Sequence, residues 1–217
     1  MSKTSISTGR NVTFREFFSL KGVFTVRNVV VMGLMTAIAA ILGALFNIFA
    51  TPTFKIFSLT YLPGVIVAML FGPWASVLYG FASDFVVYIV NPQGGYFPGF
   101  AISEIVSCLI HAFFLYKREF TITRISKAPR EGNRGEHVLT IRTTFTITRV
   151  IAARLVNLVV VLMGLNFVWL NMMYGQSAGT FFTGARLVNN LIQFPLHVIL
   201  ILLVGRQIYK LRSRGLI

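Results

Sequence analysis

The stretch NPQGGYFPGF, residues 91–100, decides how this chain folds. It holds three glycines, two prolines, three aromatics and no charge. Apolar runs flank it, about Trp74–Val90 before and about Pro98–Tyr116 after. Glycine and proline punctuate a chain, so the runs are two elements rather than one. Each is close to the roughly 20 residues that cross a bilayer as a helix. Pro98 suits the first turn of a helix, where its missing N–H costs nothing. The stretch is therefore read as the turn between two membrane-spanning helices. A plain connector needs only a few polar residues, whereas this one is stiff and aromatic. It is expected to rim a ligand pocket, with glycines and prolines fixing a compact loop. A tight connector with interfacial aromatics is the alternative.

Composition extends that reading to the whole chain. Of 217 residues, 55% are hydrophobic and 12% charged, against about 25% charged in average soluble domains. The fold class is all-α integral membrane with six transmembrane helices. The spans are about Asn28–Ala50, Ser58–Phe71, Trp74–Val90, Pro98–Tyr116, Thr146–Tyr174 and Arg186–Tyr209. The second is short and is expected to be tilted or partly re-entrant. Residues 28–217 are expected to form one membrane domain, preceded by a cytoplasmic segment, 1–27. In that segment Thr13 and Glu16 have capping-box spacing, and Phe14, Phe17, Phe18 and Phe24 share a face. They predict a short helix lying on membrane lipid. No cleaved signal peptide is read.

The net charge of +14 does not signal nucleic acid, because the basic residues fall in blocks between apolar runs. Those blocks orient the chain instead. Of 20 Lys and Arg, only Lys55 and Arg186 fall on the side opposite the termini, and Arg154 lies inside the fifth span. Both termini are therefore expected in the cytoplasm. The turn 91–100, residues 50–57 and the loop GQSAGTFFTGA after the fifth span are then external, and residues 117–145 form a basic cytoplasmic loop.

Several features carry functional weight. Gly33, Ala37, Ala40 and Ala44 make a smooth stripe on the first span, which lets another helix approach closely in lipid. The partner of that stripe is another chain or this one. Asp84 and Glu104 sit within apolar spans, where a charge costs about 2.5–3.5 kcal/mol on insertion scales and normally faces a cavity or a partner. An Asp84–Arg154 ion pair would be the structural explanation for the first. Arg186, Asn190, Gln193 and His197 form a polar stripe that must face the bundle interior, with the first two nearest the outer surface. Aromatics gather on the external side, including Tyr96, Phe97 and Trp169. Half of them suit an interfacial belt, and the rest could stack on a flat ligand. The single cysteine, Cys108, excludes a disulfide framework. No P-loop, no HExxH and no nucleophile–base set is present, so no catalytic residue, metal or cofactor is expected. An intramembrane enzyme acting on lipid through Asp84 or Glu104 stays as the rival class.

The runs YLPGVIVAMLFGPWASVLYGFASD and YFPGFAISEIVSCLIHAFFLY resemble the substrate-binding S component of energy-coupling factor (ECF) vitamin transporters, folate branch. The runs ARLVNLVVVLMGLNFVWLNMMYGQ and ARLVNNLIQFPLHVILILL are similar to the last two helices of that branch. The resemblance spans about residues 28–209. It implies a vitamin held in an external pocket, a transmembrane coupling subunit and two cytoplasmic ATPases on other chains. It assigns Gly33, Ala37 and Ala40 to contact with the coupling subunit. The sequence departs from the branch at Ala44 and Asn189, where Arg and Lys are usual. A pterin would meet Glu104, Asn166 and Asn190 with its polar edge, and Tyr96, Phe97 and Trp169 with its face. Lys55 and Arg186 would pair with carboxylates. The ligand is folate or a related heterocycle, with another vitamin or precursor as the alternative.

Overall fold

The computed structural model describes residues 25–46, 59–90, 92, 95–116 and 147–213, with the side chains of 46, 176–186, 209, 210, 212 and 213 outside the description. Among the described residues six helices are seen: α1 Val26–Phe46, α2 Tyr61–Phe71, α3 Pro73–Val90, α4 Pro98–Leu115, α5 Ile147–Tyr174 and α6 Gln176–Ser213. No strand occurs among the described residues. Five of the six contain stretches long and apolar enough to cross a membrane: Val26–Leu45, Pro73–Val90, Pro98–Leu115, Ile147–Tyr174 and Leu187–Ile208. The expected N-terminal helix and the loop 117–145 lie outside the described residues.

The short second element is short in the structure too. With 11 residues, α2 is only about 16 Å long. It is nonetheless the hub of the bundle. Val65 and Met69 join Leu115, Val150, Val198 and Ile201 in one apolar cluster. Val67 joins Met32, Ala75, Tyr79 and Cys108 in another. A helix apolar all round belongs in an interior, and α2 meets α1, α3, α4 and α6. It ends at Gly72, whose φ of +83° is disfavoured for any other residue. A Cβ there would also stand 2.7 Å from the Tyr116 ring. Pro73 then starts α3 at once.

The bundle tightens at Gly80, where a Cβ would stand 2.7 Å from the Ile105 backbone. Without a hydrophobic drive between helices in lipid, such small-residue contacts hold α3 against α4. Leu34, Phe81, Phe113 and Met172 are exposed on the outside, as suits a surface solvated by acyl chains.

Two features depart from expectation. The segment 175–185, read as a loop, is helical from Gln176 onward. Gly175, with φ of +81°, completes the turn from α5 in a single residue. The second is inside α5, where Leu158–Asn166 winds as a nine-residue π-helix between α-helical ends. Most π segments are single-turn bulges, frequently at functional sites.

Candidate ligand-binding site

The turn 95–97 is anchored at two places by two neighbouring side chains. Phe97 caps α4 in extended conformation (φ −125°, ψ 116°), and Pro98 follows in the first turn. Extended backbone sends successive side chains to opposite sides. Tyr96 turns to α3, with its ring 5.0 Å from Tyr88 and 6.1 Å from Phe85, and it is hydrogen-bonded to Asp84. Phe97 turns to α5, with its ring 5.7 Å from Trp169 and 6.0 Å from Phe100. Gly99 leaves room for this pair, since a Cβ there would stand 2.6 Å from Trp169. Of the three aromatics expected to meet a ligand face, Phe97 and Trp169 are brought together. Tyr96 is seated apart, on α3.

Below the aromatic pair lies a polar wall on α4. Trp169 donates its indole N–H to Ser103 Oγ at 3.1 Å. The next residue is Glu104. Its Oε1 accepts from the Cys108 thiol at 3.7 Å, a weak bond. On the other side stands Gly64 of α2, whose Cβ, were there one, would be 3.6 Å from Oε1 and 2.9 Å from the Cys108 sulfur. The carboxylate therefore lies against bare backbone. One turn deeper, Asn157 of α5 donates to Ser107 Oγ at 2.7 Å. Asn166, at the end of the π segment nearer Trp169, has a buried Oδ1 without a hydrogen-bond partner.

On α6 the described part of the polar stripe, Asn190, Gln193 and His197, faces inward as expected. Gln193 and His197 are buried, and Asn190 is half-buried. Gln193 donates to Asn189 Oδ1 at 2.7 Å. Lys55 and the side chain of Arg186 lie outside the described residues.

Asp84 and Arg154 do not pair. Asp84 is tied to Tyr96 near the end of α3 that leads to the 91–97 turn. Arg154 is seven residues into α5, which begins at the opposite end of the bundle. Its Nη2 lies 2.6 Å from His197 Nδ1, and its guanidinium stands 5.0 Å over the Tyr61 ring. Tyr61 and His197 themselves meet at 4.3 Å between ring centroids. This trio and the serines at 103 and 107 were not singled out as site residues in the sequence. Arg154, an arginine inside an apolar span, was the available signal.

The small stripe divides. Gly33 has nothing within 4 Å of a would-be Cβ, and Ala37 is exposed. Ala40, expected on the same contact face, is buried at 6% exposure. The inward face of α1 is centred on Thr36, Ala39 and Gly43, and Ala40 is the stripe member nearest to it round the helix.

The aromatic pair offers a flat apolar face, and Glu104 and Asn166 each offer a hydrogen-bond acceptor.

The chain is 29% identical over 151 residues to the folate transporter FolT of Clostridium novyi (strain NT), covering 70% of this chain and 72% of the relative. It also superposes on the crystal structure of FolT bound with folic acid, with a TM-score of 0.63 and 27% identity, over 84% of this chain and 94% of that one. The model of the ECF transporter substrate-specific component matches residues 27–205. These are components of transporters rather than enzymes, and a match over most of the chain decides the matter: the protein belongs to the family of ECF transporter substrate-specific components.

Proposed function

We propose that the protein captures a folate-type vitamin at the outer side of a cell membrane. It then delivers the vitamin through a transmembrane coupling subunit driven by two cytoplasmic ATPases. The observation that carries this is the half-buried Glu104 carboxylate beside the Phe97–Trp169 pair. A pterin presents N–H groups on one edge and flat faces above and below, and these positions complement both. The relatives named above carry folate in their names, which supports the same ligand class. Phe97, Trp169, Glu104, Asn166 and Asn190 hold the heterocycle. Tyr96 fixes the turn that closes over it. Lys55 and Arg186 pair with the carboxylates of the tail. Gly33 and Ala37, with Ala40 at the margin, meet the coupling subunit.

The arrangement in the membrane follows from the charge blocks. All six helices belong to one membrane domain, 28–217. Both termini are cytoplasmic, as is the segment 1–27. In intact cells, cysteine at Gly95 is expected to react with an impermeant thiol reagent, and cysteine at Asn133 is not. Reversed labelling would put the pocket on the wrong side. Cys108, buried at 2% exposure, leaves little background.

The ligand is tested directly. Mass spectrometry of the purified subunit should find a pterin-type compound retained. Titration calorimetry after stripping should show folic acid binding more tightly than vitamins without a pterin. Preference for an unrelated vitamin would move the protein to another branch of the family.

A further inference from the structure

Two opposite charges flank the first turn of α2 and do not meet. Glu104 Oε1 lies against Gly64. Arg154 stands over Tyr61, three residues earlier on the same helix. Positions three apart are neighbours on a helix face, about 5–6 Å between Cβ atoms. A charge taken out of water in a bundle interior is costly unless it is paired and hydrogen-bonded. Here the carboxylate has the Cys108 thiol, a weak donor. The guanidinium, 7% exposed, has an aromatic face and His197 Nδ1. Arginine only donates, so that imidazole nitrogen is the accepting one. Donors are left over: Arg154 Nε and the Tyr61 hydroxyl are both buried without a hydrogen-bond partner. The N-terminus of α2 adds its own partial positive charge at the same place.

We infer that Arg154 and Tyr61 form a donor floor facing the Glu104 acceptor wall, and that together they select a ring whose edge carries a carbonyl beside N–H groups. The ring carbonyl sits on Arg154 and Tyr61, and the N–H groups on Glu104. Arg154 is thus a specificity residue, and this rests on the reading of the pocket as a heterocycle site.

The test compares folic acid with its 4-amino analogue, in which an amino group replaces the ring carbonyl. Both are titrated into the stripped subunit and into Arg154→Gln and Tyr61→Phe. The native subunit should prefer folic acid by about ten- to a hundredfold, the worth of one hydrogen bond to a charged group. Arg154→Gln should lose most of that preference by weakening folic acid far more than the analogue. Tyr61→Phe keeps the ring under the guanidinium and should lose part of it. This variant also decides the question if Arg154→Gln fails to fold. An unchanged ratio in the folded variants, or equal weakening of both ligands, refutes the floor. Equal affinity of the native subunit for both ligands also refutes it, while leaving the heterocycle pocket standing. If the native subunit binds neither, the pocket reading fails and takes this inference with it.

Discussion

Glu104→Gln is expected to weaken folic acid binding by about tenfold or more, with the fold intact. The two side chains have nearly the same volume, so packing against Gly64 is kept. What changes is the acceptor. A hydrogen bond to a charged group is worth about 1.5–3 kcal/mol net, roughly twice a neutral one. The amide also turns one accepting position into a donor, which opposes the ligand's N–H groups. Trp169→Phe gives an internal comparison. It keeps an aromatic against Phe97 but removes the indole N–H that bonds Ser103. Its cost should be smaller, about 0.5–1.5 kcal/mol. Calorimetry on the stripped subunit measures both. Native affinity in both folded variants would mean that the turn 91–100 is only a connector.

Gly33→Leu and Ala37→Leu should abolish most uptake and leave ligand binding untouched. Both positions face outward, and nothing lies within 4 Å of a Cβ at Gly33. The isolated subunit therefore has room for either leucine. Replacing glycine inside a helix even favours the helix by about 1 kcal/mol. The cost appears only when another helix must approach. Bulk forced into a close-packed contact costs typically about 1–3 kcal/mol, so assembly should weaken about tenfold or more. Uptake in cells and co-purification of the coupling subunit read the loss, while titration and Tm read the unaffected subunit. Ala40→Leu should behave differently. Ala40 is buried, so this change should lower Tm before it touches coupling. Normal uptake in both outward variants would remove the stripe as the partner face.

Much of the architecture was legible because lipid imposes a simple pattern. Runs of apolar residues punctuated by glycine and proline marked five spanning helices and the short α2. Pro98 marked the start of α4. Inward polarity on α6 followed from the spacing of Asn190, Gln193 and His197 alone. Three things were not legible. Gly175 turns the chain in one residue, and nothing in GQSAGTFFTGA distinguishes that from a loop. Asp84 and Arg154 looked like a pair because both are charges in apolar runs, but their levels along the bundle depend on how α2 packs. The two sides of the 91–97 turn could not be told apart, because a run of aromatics does not reveal which ring faces which helix. The site was therefore legible in its residue types at Phe97, Glu104 and Trp169, and illegible in its partners: Ser103, Gly64 and the Tyr61–Arg154–His197 trio.

The π segment of α5 has a consequence for azimuth. Asn157 and Trp169 both bond α4, through Ser107 and Ser103, two positions that share a helix face. In a regular α-helix twelve residues advance the direction by about 100° each, so Asn157 and Trp169 would point about 120° apart. A π-helix, with its i→i+5 bonds, advances only about 80° per residue. The nine residues Leu158–Asn166, each advancing by that smaller angle, reduce the angle between the two side chains to about 40–60°. The slower winding acts as a phase correction. It brings two side chains from either side of the π segment round to the same neighbour, so that the indole bearing on Phe97 is aimed by a stretch of backbone that ends three residues before it.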